Sequence, residues 1–290
     1  FIGIGTSKAA SKWIFQCLKE HPEICTALKR ETRFFNRRYN FLNGIEFYLS
    51  LFNHCPTNMI KGEFTSDYLL DPETANLIHK YFPKLRIFAC LRNPVEKIYS
   101  EYHYHHKMKW RLSIYKTFEE TIKRDIGLIE EGYYYKQLKQ YFGLFPKENI
   151  LILFYEEIRK TPAEFLNKLY SFLGVKNPNF IPSCINQRIN ITGSVYGKNK
   201  FPLINAIIYR IIGKVKKSSR LRRIFKFLNR FDFLDKLLVL NVKIIKETKY
   251  KDVNQNYPPI SKKTKIYLQN LNKEDIKKLG ELIQKDLRFW

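Results

Sequence analysis

Two rhythms of apolar and polar positions divide the chain. Short apolar runs closed by glycine or a turn occur at Phe1–Gly5, Asn58–Phe64, Arg86–Leu91 and Ile150–Phe154. Their length and composition predict strands. Between them, apolar positions recur at helical spacing over Ser11–His21, halted by Pro22, and over Pro72–Tyr81, Thr117–Glu131 and Tyr134–Phe145. A further helix opens at Pro94, where the missing N–H does no harm, and another runs over Thr161–Leu173 until Gly174 ends it. Strands alternating with helices predict an α/β fold, a parallel sheet covered on both faces. After Gly174 a polar loop runs to Gly193. Basic amphipathic segments follow to about Lys251, then Tyr257-Pro258-Pro259 and a terminal helix ending near Trp290. The expected organisation is an α/β core over residues 1–193 that holds a nucleotide site, with residues 194–290 as a basic helical C-terminal annex packed on the same domain.

Composition narrows this picture. With 290 residues, 44% hydrophobic and 16% aromatic, the chain can bury a sizeable core and is not of disordered type. The longest greasy stretch, Phe201–Ile212, already contains Arg210, so no segment is expected to span a membrane. A cytoplasmic protein is the expectation. The chain opens inside a strand, which leaves a preceding leader or anchor open. Five cysteines, Cys17, Cys25, Cys55, Cys90 and Cys184, are scattered and show no close pairing, and are expected to be reduced packing residues. The net charge of +25 implies a surface that attracts anions, whether nucleic acid, acidic lipid, sulfated glycan or a phosphorylated nucleotide. Within residues 220–246 basic and apolar residues interleave, so this segment either makes peripheral membrane contact or packs its apolar face on the domain. Asn190-Ile191-Thr192 has the letters of a glycosylation sequon, and a loop near a nucleotide explains it equally well.

Four stretches carry candidate chemistry. Gly5-Thr6-Ser7-Lys8-Ala9-Ala10-Ser11-Lys12-Trp13 joins the first strand to its helix, where unpaired N–H groups, the helix dipole and small residues suit a phosphate. It departs from the Walker spacing, and is P-loop-like rather than a Walker loop. Leu91-Arg92-Asn93-Pro94 puts an arginine at a strand's carboxyl end and Ser100 two turns into the next helix, either as a phosphate grip or as a surface ion pair. An NTPase is expected to end that strand with an acid for Mg²⁺; an arginine there favours a donor that needs no metal. Glu31, between Arg30 and Arg33, is either a general base or an ion-pair partner. Glu63 and Asp67, in Lys61–Tyr68, lie near a strand end. His103, His105 and His106 interleave with Tyr102 and Tyr104, and cannot all face one site on a helix.

In their order these segments resemble the sulfotransferases that use 3′-phosphoadenosine 5′-phosphosulfate, in particular the bacterial and heparan-sulfate-type branch. The loop around Lys8 resembles that family's 5′-phosphosulfate loop. Arg30–Phe35 resembles Lys-Glu-Pro-His-Phe-Phe, Gly62–Tyr68 resembles Gly-Glu-Lys-Thr-Pro-x-Tyr, and Leu91–Tyr102 resembles the 3′-phosphate motif. Phe145–Leu151, Tyr155-Glu156-Glu157, Phe172–Val175 and the tail from Tyr257 through Glu274-Asp275 to Trp290 extend the likeness, which thins between Ser194 and Lys251. The resemblance implies sulfuryl transfer to a hydroxyl or amine. Lys8, Ala9, Ala10, Ser11, Lys12 and Trp13 would form the phosphosulfate loop, with Lys8 and Lys12 catalytic. Arg92 and Ser100 would hold the 3′-phosphate, and Glu31 would take the acceptor's proton. Adenosine 3′,5′-bisphosphate would be the product, with no metal required. Arg33, Glu63, Asp67 and His103 would lie toward an acceptor, an anionic glycan or a small molecule. No nucleic-acid partner is expected. The pattern departs at Ala10, in place of glycine, at Lys12, in place of threonine, and at Phe64 and Arg33, which would sit on the acceptor side. An ATP–Mg²⁺ kinase and a non-catalytic polyanion-binding protein are the alternatives.

Overall fold

Hydrogen bonding between four parallel pairs of strands builds one sheet from β1 (Ile2–Gly5), β2 (Ile24–Thr26), β3 (Ile60–Phe64), β4 (Ile87–Leu91) and β5 (Ile150–Phe154), in the order β2-β3-β1-β4-β5. The structure, a computed structural model, describes residues 1–36, 44–108, 111–187 and 258–290. All of these belong to one compact unit of residues 1–192 and 257–290. Every residue of β1 and β4 is buried, which is why both read as unbroken apolar runs. The chain leaves β1 for β2 and β3 on one side, then crosses to β4 and β5 on the other. The order therefore reverses between β1 and β4, and in open parallel sheets the crevice beyond such a reversal receives ligands.

Helices α1 (Ser11–Glu20), α2 (Ile45–Ser50), α3 (Thr74–Tyr81), α4 (Pro94–Met108), α5 (Phe118–Arg124), α6 (Ile126–Glu130), α7 (Tyr134–Leu144), α8 (Tyr155–Lys160) and α9 (Pro162–Leu173) cover the sheet. One core layer joins β1 and β4 to α3 and α7 through Ile4, Ile78, Leu91 and Leu138. The other packs Trp13, Leu18, Phe165 and Leu169 of α1 and α9 beneath Phe64 and Phe88. A Cβ on Gly3 would lie 2.0 Å from the Phe64 ring, so glycine at 3 is what admits that ring. Phe64 is thus fully buried core, not the acceptor-side residue expected.

Other expectations need correction. The helix over Thr117–Glu131 is two, because Asp125 interrupts it and caps α6 by accepting from the Leu128 N–H. β2, α2 and α8 were not foreseen; the three residues of β2 and the six each of α2 and α8 are too few for a readable period. The terminal helix spans Lys262–Ile283 and stops well before Trp290, as Gln284 turns left-handed and the Lys285 N–H reaches back to the Gly280 carbonyl. Cys17, Cys90 and Cys184 are buried free thiols, but Cys25 and Cys55 form a disulfide, Cα to Cα 5.7 Å. Thirty residues separate them, and only the unforeseen edge strand β2 brings Cys25 beside the end of the α2 connection. Residues 220–246 and the triplet Asn190-Ile191-Thr192 lie outside the described residues. Among the described residues no helix is long and apolar enough to cross a membrane.

The C-terminal helix docks through buried Leu268, Asn272 and Leu279, and through Asp275, whose carboxylate accepts from the N–H groups of Tyr135 (3.0 Å) and Lys136 (3.2 Å) in the first turn of α7. A carboxylate in that place satisfies two orphan donors and meets the helix dipole. Asp275→Ala is expected to lower the unfolding free energy by about 1–2 kcal/mol, with Asp275→Asn retaining part of it, as denaturant titration would measure.

Candidate active site at the β1–β4 crevice

The loop after β1 is built on left-handed backbone. Lys8 has φ 62° and Ala10 φ 59°, and α1 begins beyond Ala10 with no side-chain cap. First-turn N–H groups of α1 are therefore left to whatever anion the loop encloses, and that turn contains no acid to compete. The buried Thr6 hydroxyl has no hydrogen-bond partner among the described residues. Ala9 and Trp13 serve packing: Ala9 is fully buried, and the Trp13 indole donates to the carbonyls of Cys184 and Ile185, both at 3.2 Å. Ser11 and Lys12, half-buried, open the helix.

Lys8 turns toward α4. Its Nζ stands 3.2 Å from the centroid of the Tyr104 ring. Burial, with Lys97, Lys12 and Arg92 close by, lowers its pKa to about 8 against the opposing pull of Glu101. Glu101 accepts from the Ser7 hydroxyl at 2.9 Å and pairs with His105 at 3.6 Å. Burial works against its charge, but His105, Lys97, Lys8 and Ser7 outweigh it and hold the carboxyl at about 2. Lys97 is wholly buried and ion-paired with Glu131. Lys97, Glu101, Tyr104 and His105 fall at i, i+4, i+7 and i+8, one face of α4. Sequence reasoning named Tyr104 and His105 only as part of the histidine–tyrosine stretch and missed Lys97 and Glu101. Their signal was an acid and a lysine one turn apart on the helix that follows the arginine motif.

Arg92 joins the two halves of the site. Its Nη1 donates to the Lys8 carbonyl at 3.1 Å, its other nitrogens hold Glu96, and its guanidinium lies 4.7 Å above the Tyr155 ring. Asn93 caps α4 through its side-chain oxygen, while its own N–H donates to Glu156. Ser100 stands one turn beyond Glu96, half-buried, and its hydroxyl bonds to no described residue.

On the β3 side, Glu31 accepts from Arg30 at 2.5 Å and from the Ser66 hydroxyl and N–H at 2.9 and 3.1 Å. Both Glu31 (φ 60°) and Arg33 (φ 51°) are left-handed. Of the five non-glycine residues with positive φ among those described, four lie in the candidate site, as strained backbone does where function holds it. A groove of about 430 Å³ beside α1 is lined by Lys12, Phe15, Gln16, Arg30 and Gln187. The structure does not bring every expected residue here. Glu63 is fully buried and receives the hydroxyls of Thr32, Thr65 and Tyr68 at 2.6, 2.7 and 2.9 Å; burial lifts its carboxyl above the usual range. It shapes the Thr32–Phe35 turn, since Tyr68 Oη accepts the Phe34 N–H. Asp67 pairs with Arg33 and holds Asn36. His103 packs edge-on against Tyr99 and Tyr102, away from the Lys97–Tyr104 face, and burial, then His106, drops its pKa to about 4.

A left-handed loop, an uncapped helix start and an arginine bonded to the loop's backbone meet at the topological switch point of an α/β sheet, surroundings that suit a phosphorylated anion between β1 and β4. The sulfotransferase domain family matches residues 1–189, and the chain belongs to that family. It is 26% identical to the membrane-associated sulfotransferase kil1 of Dictyostelium discoideum, over 100% of this chain and 66% of that protein. It is 25% identical to human heparan sulfate glucosamine 3-O-sulfotransferase 6, over 60% of this chain and 51% of that one. To the mouse bifunctional heparan sulfate N-deacetylase/N-sulfotransferase 4 it is 26% identical, over 60% of this chain and 22% of that one. The chain thus spans no more than about two thirds of these curated relatives. The crystal structure of a sulfotransferase from Alicyclobacillus acidocaldarius superposes with a TM-score of 0.67 at 19% identity, covering 100% of this chain and 97% of that one, and bears out the fold.

Glu101→Gln removes the carboxylate that raises the Lys8 pKa, so Lys8 is expected to titrate below about 8. Where the amine is mostly protonated, lowering its pKa by one raises the neutral fraction about tenfold at a given pH. Competitive acylation of Lys8 at neutral pH should accelerate several-fold in the variant, with other lysines unchanged.

Proposed function

We propose that this chain transfers a sulfuryl group from 3′-phosphoadenosine 5′-phosphosulfate to a hydroxyl or amine of an anionic glycan. The observation that carries this reading is the Arg92 guanidinium bonded to the Lys8 carbonyl, which sets cationic groups from two neighbouring strand ends in one crevice. Their separation onto two loops suits a ligand with two anionic ends. Family membership supports the reaction class. The heparan sulfate enzymes among the relatives, and the net charge of +25, support a polyanionic acceptor.

When bound, the donor supplies the sulfuryl group, and its departure leaves negative charge on a bridging oxygen. Lys8, Lys12 and the first N–H groups of α1 answer that charge from fixed positions, so little reorganisation accompanies transfer. Arg92 binds the 3′-phosphate in this reading, with its fork already oriented by Glu96 and Tyr155, and Ser100 adds a hydroxyl. Glu31 receives the acceptor's proton at its carboxylate. Arg30 and Ser66 fix that group while leaving one lone pair on Oε2.

Adenosine 3′,5′-bisphosphate is expected to raise the melting temperature without Mg²⁺, and Lys8→Ala or Arg92→Ala to remove the rise. Lys8→Ala should also slow transfer from labelled donor to heparan-type acceptors by about a hundred- to thousand-fold. A shift by ATP–Mg²⁺ alone would mean a kinase, and indifference to both nucleotides with steep salt dependence on polyanions would mean a binding module. The pH response follows from Lys8. Its lowered pKa of about 8 means that the free protein loses this charge as pH rises through 8, and anion binding must then restore the proton. Affinity for the bisphosphate should fall up to about tenfold per pH unit above about 8. Lys8→Arg, charged throughout, should abolish that alkaline fall in a calorimetric titration.

A further inference from the structure

Cys25, His54 and Cys55 converge on a point that the transfer reaction does not use. Their ligand atoms all lie within 4.8 Å of one another, the only such group of three or more His, Cys, Asp or Glu among the described residues. Cys25 comes from β2 and Cys55 from the connection after α2, and the two are joined as a disulfide. His54, exposed, has water freely available, yet its Nε2 stands 3.5 Å from the Cys25 sulfur and 3.6 Å from the Cys55 sulfur. A bridged sulfur is a weak acceptor and gives an imidazole little reason to sit there. The distances have another meaning. With metal–sulfur bonds of about 2.3 Å and a metal–nitrogen bond of about 2.0 Å, a tetrahedral centre places each sulfur about 3.5 Å from the nitrogen. The same centre would set the two sulfurs about 3.8 Å apart, so they must swing apart once the bridge opens, while the exposed histidine already stands at its own distance from each.

We propose that Cys25, Cys55 and His54, once the bridge is reduced, form a three-ligand site for a thiophilic divalent cation of the zinc type, its fourth position open to solvent. The two states interconvert with balanced chemistry. A dithiol reductant gives two protons and two electrons to the disulfide, yielding two thiols and a cyclic disulfide. The cation then replaces the two thiol protons, which leave to solvent, and bis-thiolate and imidazole bind it. A Cα separation of 5.7 Å suits a bridge and is also short enough for both sulfurs to reach one ion by side-chain rotation. Either closure fixes β2 to the end of α2, and so ties both ends of the segment that carries Arg30, Glu31 and Arg33. Softness selects the ion: two thiolates and an imidazole prefer zinc or cobalt to magnesium or calcium.

The full chain, reduced with a phosphine and freed of it, is titrated with Co²⁺ in the absence of oxygen. The expected result is one Co²⁺ per chain, with thiolate-to-cobalt charge-transfer absorption and tetrahedral visible bands, displaced by Zn²⁺. Cys25→Ser and Cys55→Ser should each abolish the bis-thiolate spectrum. His54→Ala leaves both bridge-forming sulfurs, and so the fold, in place; it should weaken Co²⁺ binding about tenfold or more, since even outer-shell partners cost that much. In the wild type, Zn²⁺ should protect Cys25 and Cys55, but not the other cysteines, from alkylation, read by peptide mass. Three outcomes overturn the proposal: no charge-transfer band in the reduced wild type, a band that survives Cys25→Ser and so belongs to Cys17 and Cys184, or unchanged affinity in His54→Ala.

Discussion

A single hydrogen bond organises the candidate site: the guanidinium of Arg92, just beyond β4, donates to the backbone carbonyl of Lys8, just beyond β1. Lys8 sits in left-handed backbone, a conformation that costs a non-glycine residue about 1–2 kcal/mol unless its surroundings impose it. The arginine supplies part of that imposition and is itself held, by Glu96, by the Tyr155 ring and by the Tyr134 hydroxyl on its own carbonyl. The loop's shape thus depends on the neighbouring strand rather than on glycine. Ala10 adopts φ 59° where a glycine would be natural.

Charge explains why so much apparatus surrounds one loop. Lys8, Lys97 and Arg92 gather where water is scarce, and isolated they would repel one another and neutralise. Glu101, Glu131 and Glu96 each answer one of them. The balance is uneven by position: Lys97 is fully paired, whereas Lys8 is left with a lowered pKa and only a ring face and a carboxylate held by Ser7 and His105. An anion entering the loop would complete the charge of Lys8 without disturbing the buried pair beneath it.

What could be read from the chain follows the same division between local and distant. β1, β4 and β5 announce themselves as apolar runs, and Lys8, Ser11, Lys12, Arg92 and Glu31 occur in contiguous motifs that can be read without knowing what packs against them. The sulfotransferase resemblance is legible for that reason. β2 is too short to show a period, and without it nothing in the chain pairs Cys25 with Cys55. Glu101 and Tyr104 matter only because α4 packs its Lys97 face onto the β1 loop, a tertiary fact at which the spacing of Lys97 and Glu101 only hints. Glu63 has the marks of a site residue, charged and near a strand end, yet three hydroxyls converge on it in a dry interior.

The departures from the family pattern separate the donor side from the acceptor side. Phe64 takes a place where lysine is frequent, but its ring goes inward, filling the space that Gly3 leaves and packing tilted against Phe88 at 5.3 Å between centroids. That exchange is absorbed by the core and need not alter what the surface presents. Arg33 differs: it stays half-exposed in left-handed backbone and pairs with Asp67, so its guanidinium faces the rim of the β3 side. Between them, Thr32 and Glu63 anchor the turn from below. A buried hydroxyl–carboxylate cluster therefore fixes the turn's backbone while the side chain at 33, above it, can vary. In the proposed reading, a change in acceptor preference calls for substitution at Arg33 or at its partner Asp67 rather than at the residues that hold the turn.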